Sequence, residues 1–141
     1  MTGDSSIRIL VVDDTVTYRK ILSEAAAALA SVRLVGTAAS GAIALQKLEH
    51  TATDLVLLDV HMPELDGLDT LRRIRERFPQ TDVVMVSGIS DRQADCTIQA
   101  LEAGALDFIH KPEHASLDEN RAGLTDSLRP ILRLVEKALL S

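Results

Sequence analysis

Residues 54–59 read Asp-Leu-Val-Leu-Leu-Asp (DLVLLD), four aliphatic side chains bracketed by two acids. An unbroken apolar run of this length suits a strand covered on both faces better than a half-exposed strand, which would alternate. The anomaly is Asp59, because a strand buried on both faces rarely ends on an unpaired carboxylate. The same design recurs along the chain. Residues 7–12 (IRILVV) stop at Asp13-Asp14, and a run over 33–37 leads to Ser40-Gly41. Residues 82–86 (DVVMV) stop at Ser87-Gly88, and 106–109 (LDFI) lead to Lys111-Pro112.

The segments between these runs carry helical spacing. Tyr18, Ile21, Leu22, Ala25 and Leu29 fall on one face, as do Ala44, Leu45 and Leu48. After the loop HMPELDG, with Asp66 placed to cap, Leu68, Leu71, Ile74 and Phe78 mark a third helix that Pro79 stops. Ser90 and Gln93 form a capping box for a fourth, bearing Ala94, Ile98 and Leu101 with Gly104 near its end. The last presents Leu124, Leu128, Ile131, Leu132, Val135 and Leu139, and Pro130 inside that pattern predicts a kink or a late start. Five strands alternating with five helices predict an α/β domain with a doubly wound, five-stranded parallel sheet. The expected division is a tail over residues 1–6 and one domain over 7–141.

Composition narrows the class of function. The 141 residues fit one domain, and 46% hydrophobic content supports a core that is aliphatic, since aromatics are only 2%. Fifteen basic against 21 acidic residues give a net charge of −6, which opposes general affinity for nucleic acid or anionic membranes. No stretch is long enough to span a bilayer, and MTGDSS does not read as a signal peptide. The single Cys96 cannot form an internal disulfide, so a cytoplasmic location is expected.

In an open α/β sheet, function gathers at the carboxyl ends of the strands. Asp13 and Asp14 follow the first strand, Asp59 ends the third, Ser87 the fourth, and Lys111 follows the fifth. Three carboxylates, a hydroxyl and an ammonium are therefore expected in one cleft. The carboxylates repel one another unless a cation offsets them, and hard oxygen ligands with room for water suit Mg²⁺. Such a set fits phosphoryl transfer, where catalysis is positioning and charge neutralisation.

The segments VVDDT, LLDVHMPELDG, VVMVSG and LDFIHKP resemble the receiver domains of two-component response regulators over nearly the whole chain. The resemblance implies a flavodoxin-like, CheY-like strand order 2-1-3-4-5. It implies that Asp59 accepts a phosphoryl group from a sensor histidine kinase, and that Asp13, Asp14, Asp59 and the His61 carbonyl hold the metal. It further implies Lys111 as the phosphoryl partner, Ser87 and Phe108 as the switch pair, and a cis Lys111-Pro112 bond. The His61 side chain is then expected at the mouth of the site, where it affects the lifetime of the modified state. EAGALDFIHKP and the long final helix resemble the receiver half of the chemotaxis methylesterase family. No G-x-S-x-G follows, so the chain reads as a fragment or a stand-alone receiver, a switch without an effector enzyme. A downstream output domain or target is the implied second partner.

Each signal alone has a plainer reading. Asp13-Asp14 can cap a helix, Ser87-Gly88 can be a turn, and Lys111 can be a solvated charge. Cys96, His50, His110 and His114 read as packing or surface residues, with no zinc-like spacing. A haloacid-dehalogenase-type phosphatase needs a second Asp where Thr15 stands, and a flavin site needs a phosphate loop where two carboxylates stand. A pseudo-receiver would lack an acid or the lysine.

Overall fold

The structure is a computed structural model that describes residues 6–60, 62, 66–88, 93–111 and 116–140, with the side chains of 93–96 outside that set. The elements are β1 (Ile7–Val12), α1 (Val16–Ala27), β2 (Val32–Ala38), α2 (Gly41–His50), β3 (Leu55–Asp59), α3 (Gly67–Arg77), β4 (Asp82–Ser87), α4 (Gln93–Glu102), β5 (Asp107–His110) and α5 (Leu117–Leu140). The strands form one parallel sheet in the order β2-β1-β3-β4-β5. This is the doubly wound architecture that the alternation of runs predicts.

Side-chain parity along each central strand explains why the runs are unbroken. Ile7, Ile9 and Val11 of β1, Leu55 and Leu57 of β3, and Val84 and Val86 of β4 face α1 and α5. Leu10 and Val12, Val56 and Leu58, and Val83 and Met85 face α2, α3 and α4. Both faces are covered, so neither parity can be polar. The edge strands differ: β2 is only partly buried along most of its length, and β5 buries Ile109 but exposes Asp107 and His110. An edge has one neighbour, and the expectation of full burial fails there.

Two sequence expectations are corrected and a third is narrowed. Ile98 and Leu101 of α4 are 56% and 48% exposed, while Ala100 is fully buried. The helix seats a methyl group against the domain and turns its larger side chains outward, so apolar weight misidentifies its inner face. Leu139 is half exposed, four residues past the buried Val135. Pro130 causes no late start, since α5 is one helix from Leu117 to Leu140 with the proline inside it. Pro130 is exposed, so the Asp126 carbonyl that loses its helical donor faces water. The Ser90–Gln93 capping box and the Lys111-Pro112 bond lie outside the described residues. Gly104, by contrast, ends α4 as expected, with φ of +103° and its N–H donated to the Leu101 carbonyl.

Candidate functional site

Strand register brings the acids together. Val12 pairs with Leu58, so the next residues on these adjacent strands, Asp13 and Asp59, come level about 5 Å apart. The backbone ladder continues past the strand ends. Asp13 N–H donates to the Ala38 carbonyl at 3.1 Å, Val60 N–H to Val86 at 3.1 Å, and Lys111 N–H to Ser87 at 2.7 Å. The polar residues thus stand on rungs of the sheet rather than on free loops, which fixes them in place.

Asp13 and Asp59 are buried, at 0% and 3% exposure, and Asp14 is exposed. One oxygen from each of the three lies within 4.8 Å of the others, a spacing one cation can bridge. Lys111 comes from β5, with β4 between it and β3, so its side chain must cross about 10 Å. It does so and places Nζ 3.1 Å from Asp13 Oδ2 and 3.4 Å from Asp59 Oδ1. The other Asp13 oxygen accepts from the Thr15 N–H at 2.9 Å and from its hydroxyl at 2.8 Å. The Arg19 guanidinium donates to the Asp13 backbone carbonyl at 2.9 Å. Among the described residues, three carboxylates are gathered around the Lys111 ammonium and the Arg19 guanidinium, which leaves a negative surplus. A divalent cation fits that surplus and the all-oxygen donor set.

Ser87 is buried at the end of β4 and donates its hydroxyl to the Gly88 carbonyl at 2.9 Å. Phe108 is partly buried against the α2–α4 side of the core, and its ring lies 5.3 Å from that of His110. His61 lies outside the described residues. The helix after β3 starts as expected, with the Asp66 side chain accepting from Asp69 N–H at 2.8 Å.

Four features of the site were not read from the sequence. Thr15 and Arg19 brace Asp13. Gly67 admits no side chain, because a Cβ there would stand 2.4 Å from the Asp59 carbonyl oxygen. Its N–H donates to the Val60 carbonyl at 3.1 Å, so α3 is tied directly to the end of β3. Tyr18, taken as a core residue, packs against the α1–α5 side of the core and also lies under Lys111, with Nζ 4.2 Å from the ring centroid.

Residues 9–120 match the response regulator receiver domain family. The chain belongs to that family. Two protein-glutamate methylesterase/protein-glutamine glutaminases resemble this receiver. The one from Trichodesmium erythraeum is 46% identical over 112 residues, covering 79% of the chain and 32% of the relative. The one from Desulfotalea psychrophila is 37% identical over 128 residues, covering 91% and 35%. The chain therefore spans about a third of the length of these curated relatives. The crystal structure of the response regulator domain of Thermotoga maritima CheB superposes with a TM-score of 0.81 at 33% identity, covering 94% of this chain and 97% of that one. Among the described residues, no helix is long and apolar enough to cross a membrane.

Proposed function

We propose that this receiver takes a phosphoryl group onto Asp59 from the phosphohistidine of a sensor histidine kinase, in a Mg²⁺-dependent reaction. The observation that carries this reading is Lys111 Nζ between the buried carboxylates of Asp13 and Asp59. Asp13, Asp14 and Asp59, with the His61 carbonyl, would hold the metal. Bound there, Mg²⁺ would supply neutralisation of charge on the phosphoryl oxygens. An Asp59 oxygen attacks phosphorus in line, forming the O–P bond as the N–P bond to the kinase histidine breaks. Lys111 pairs with the transferring oxygens, and water later hydrolyses the acyl phosphate. The receiver is thus the catalyst of its own modification and no enzyme towards other substrates.

The switch follows from Ser87. Its hydroxyl now bonds to the adjacent Gly88 carbonyl and must exchange that partner to reach a phosphoryl oxygen. Phe108, partly buried on β5 and paired with Met85 two residues before Ser87, repacks in response. The two arrangements exist as a population that the phosphoryl group biases. The face of α4, β5 and α5 carries the readout, and the exposed Ile98 and Leu101 give it an apolar contact surface.

The similarity to methylesterase/glutaminases supports a role in chemotaxis-type regulation, with a downstream output domain or target as the second partner. A cytoplasmic setting accords with both partners. The packing of α5 on the core as far as Val135 supports residues 7–141 as the receiver unit. Incubation with a phosphorylated histidine kinase tests the reading. Label should pass to the parental protein and not to Asp59→Asn, and equal labelling of the two contradicts it.

A further inference from the structure

Lys111 has a third neighbour in the cleft that is not a carboxylate. Its ammonium stands 4.2 Å from the centroid of the Tyr18 ring, within the range of a cation–π contact. Tyr18 sits one turn into α1, and its body packs on the α1–α5 side of the core, so the ring is held from behind. Its hydroxyl is buried and has no hydrogen-bond partner among the described residues. Burial, and then the charge of Asp13, push the phenol above its ordinary pKa, so it stays neutral. A buried hydroxyl without a partner costs stability relative to phenylalanine. The ring rather than the hydroxyl is therefore the part of Tyr18 that the site uses.

We propose that Tyr18 is a positioning residue for Lys111, its ring holding the ammonium at the cleft while the carboxylate partners change. The inference rests on the reading of Asp59 as the acceptor. In the present arrangement Lys111 divides itself between Asp13 and Asp59. Phosphorylation of Asp59 turns its carboxylate into an acyl phosphate and moves the negative charge onto the phosphoryl oxygens, and a cation at the acid cluster competes for both acids. The ring is altered by neither event. It keeps the ammonium partly desolvated and beside the position of the incoming phosphoryl oxygens, and it limits the rotamers open to a long, flexible chain.

Tyr18 is the single tyrosine of the chain, so substitution or labelling of tyrosine addresses this ring alone. In the metal-free parental protein, the Lys111 Hε resonances should be moved upfield by the ring current. The shift should persist in Tyr18→Phe and vanish in Tyr18→Leu. With acetyl phosphate and Mg²⁺, Tyr18→Phe should react within about twofold of the parental rate and Tyr18→Leu about three- to tenfold more slowly. Incorporating 3-fluorotyrosine, which weakens the ring's negative face with little change of shape, should slow the reaction slightly in the same direction. That arm decides the matter if Tyr18→Leu does not fold. An unshifted Lys111 in the parental protein overturns the proposal. So does a folded Tyr18→Leu that reacts at the parental rate, or a fluorinated protein with no slowing. A parental protein that accepts no phosphoryl group at all contradicts the acceptor reading itself, and the positioning role falls with it.

Discussion

The two ends of the sheet treat buried acid in opposite ways. At the amino end, Asp54 precedes β3 and meets Arg8 of β1. The Arg8 backbone N–H and Nε donate to Asp54 Oδ2 at 2.9 and 3.0 Å, and Nη2 donates to Oδ1 at 3.0 Å. Burial alone would raise the Asp54 carboxyl, but these bonds and the adjacent guanidinium charge outweigh it and hold the pKa below the ordinary value. The acid meets a guanidinium in a bidentate fork that engages both of its oxygens. At the carboxyl end, Lys111 divides its ammonium between Asp13 and Asp59, at 3.1 and 3.4 Å, while the exposed Asp14 stands beside them. The first arrangement is balanced between its own two members. The second is short of positive charge and open to a cation and an anion together. Charge balance, more than the presence of acids, separates a structural pair from a reactive site.

The comparison is broken most strongly by Arg8→Met. It leaves the Asp54 carboxylate buried with only the backbone N–H, and urea unfolding should show a loss of about 2–4 kcal/mol, while phosphoryl acceptance stays at the parental rate. The same pair has a pH signature. A carboxyl with a depressed folded pKa contributes stability that is fully present above the unfolded value and is lost as pH falls through the folded one. Parental stability should therefore drop as pH falls below about 4, the ordinary carboxylate range. Asp54→Asn should flatten that drop, and an unchanged acid limb would assign it to other groups.

Gly67→Ala acts at the other end. The added methyl must displace the backbone of Asp59 and Val60, so a loss of about 1–3 kcal/mol is expected, together with slower phosphoryl acceptance. A variant that loses stability yet reacts at the parental rate would show that α3 supports the strand without setting the acceptor. The smallest effect belongs to Asp14→Ala. Removing the exposed acid relieves repulsion, so the metal-free melting temperature should rise slightly. Amide shifts on Mg²⁺ titration around Asp13 and Asp59 should require far more metal. A lower melting temperature would assign Asp14 a structural partner.

How far the sequence disclosed this arrangement follows from the kind of signal each residue leaves. The sheet was legible because unbroken aliphatic runs have few other uses, and Asp13, Asp14, Asp59, Ser87 and Lys111 stood out where polar residues interrupt those runs. Arg8 and Asp54 also interrupt or bound such runs, but at the amino ends of the strands, where function was not sought. Arg8 is one charge in an apolar strand, and its partner is 46 positions away. Tyr18 fitted the apolar face of α1 and does pack there, so spacing alone concealed its second contact with Lys111. The inner face of α4 was misread because alanine carries little weight in an apolar pattern yet allows the closest packing. Gly67 read as loop punctuation, since the clash that forbids a side chain involves a strand end seven to eight residues back, visible only in three dimensions.

The most direct test of the central claim is to map the acceptor. The parental protein is incubated with acetyl phosphate and Mg²⁺, the acyl phosphate is trapped by borohydride reduction, and the peptides are analysed by mass spectrometry. The account predicts one modified residue, Asp59, with no trapping when Mg²⁺ is chelated and none in Asp59→Asn. Modification at Asp13 or Asp14 in the parental protein, or trapping in Asp59→Asn equal to the parent, would contradict it.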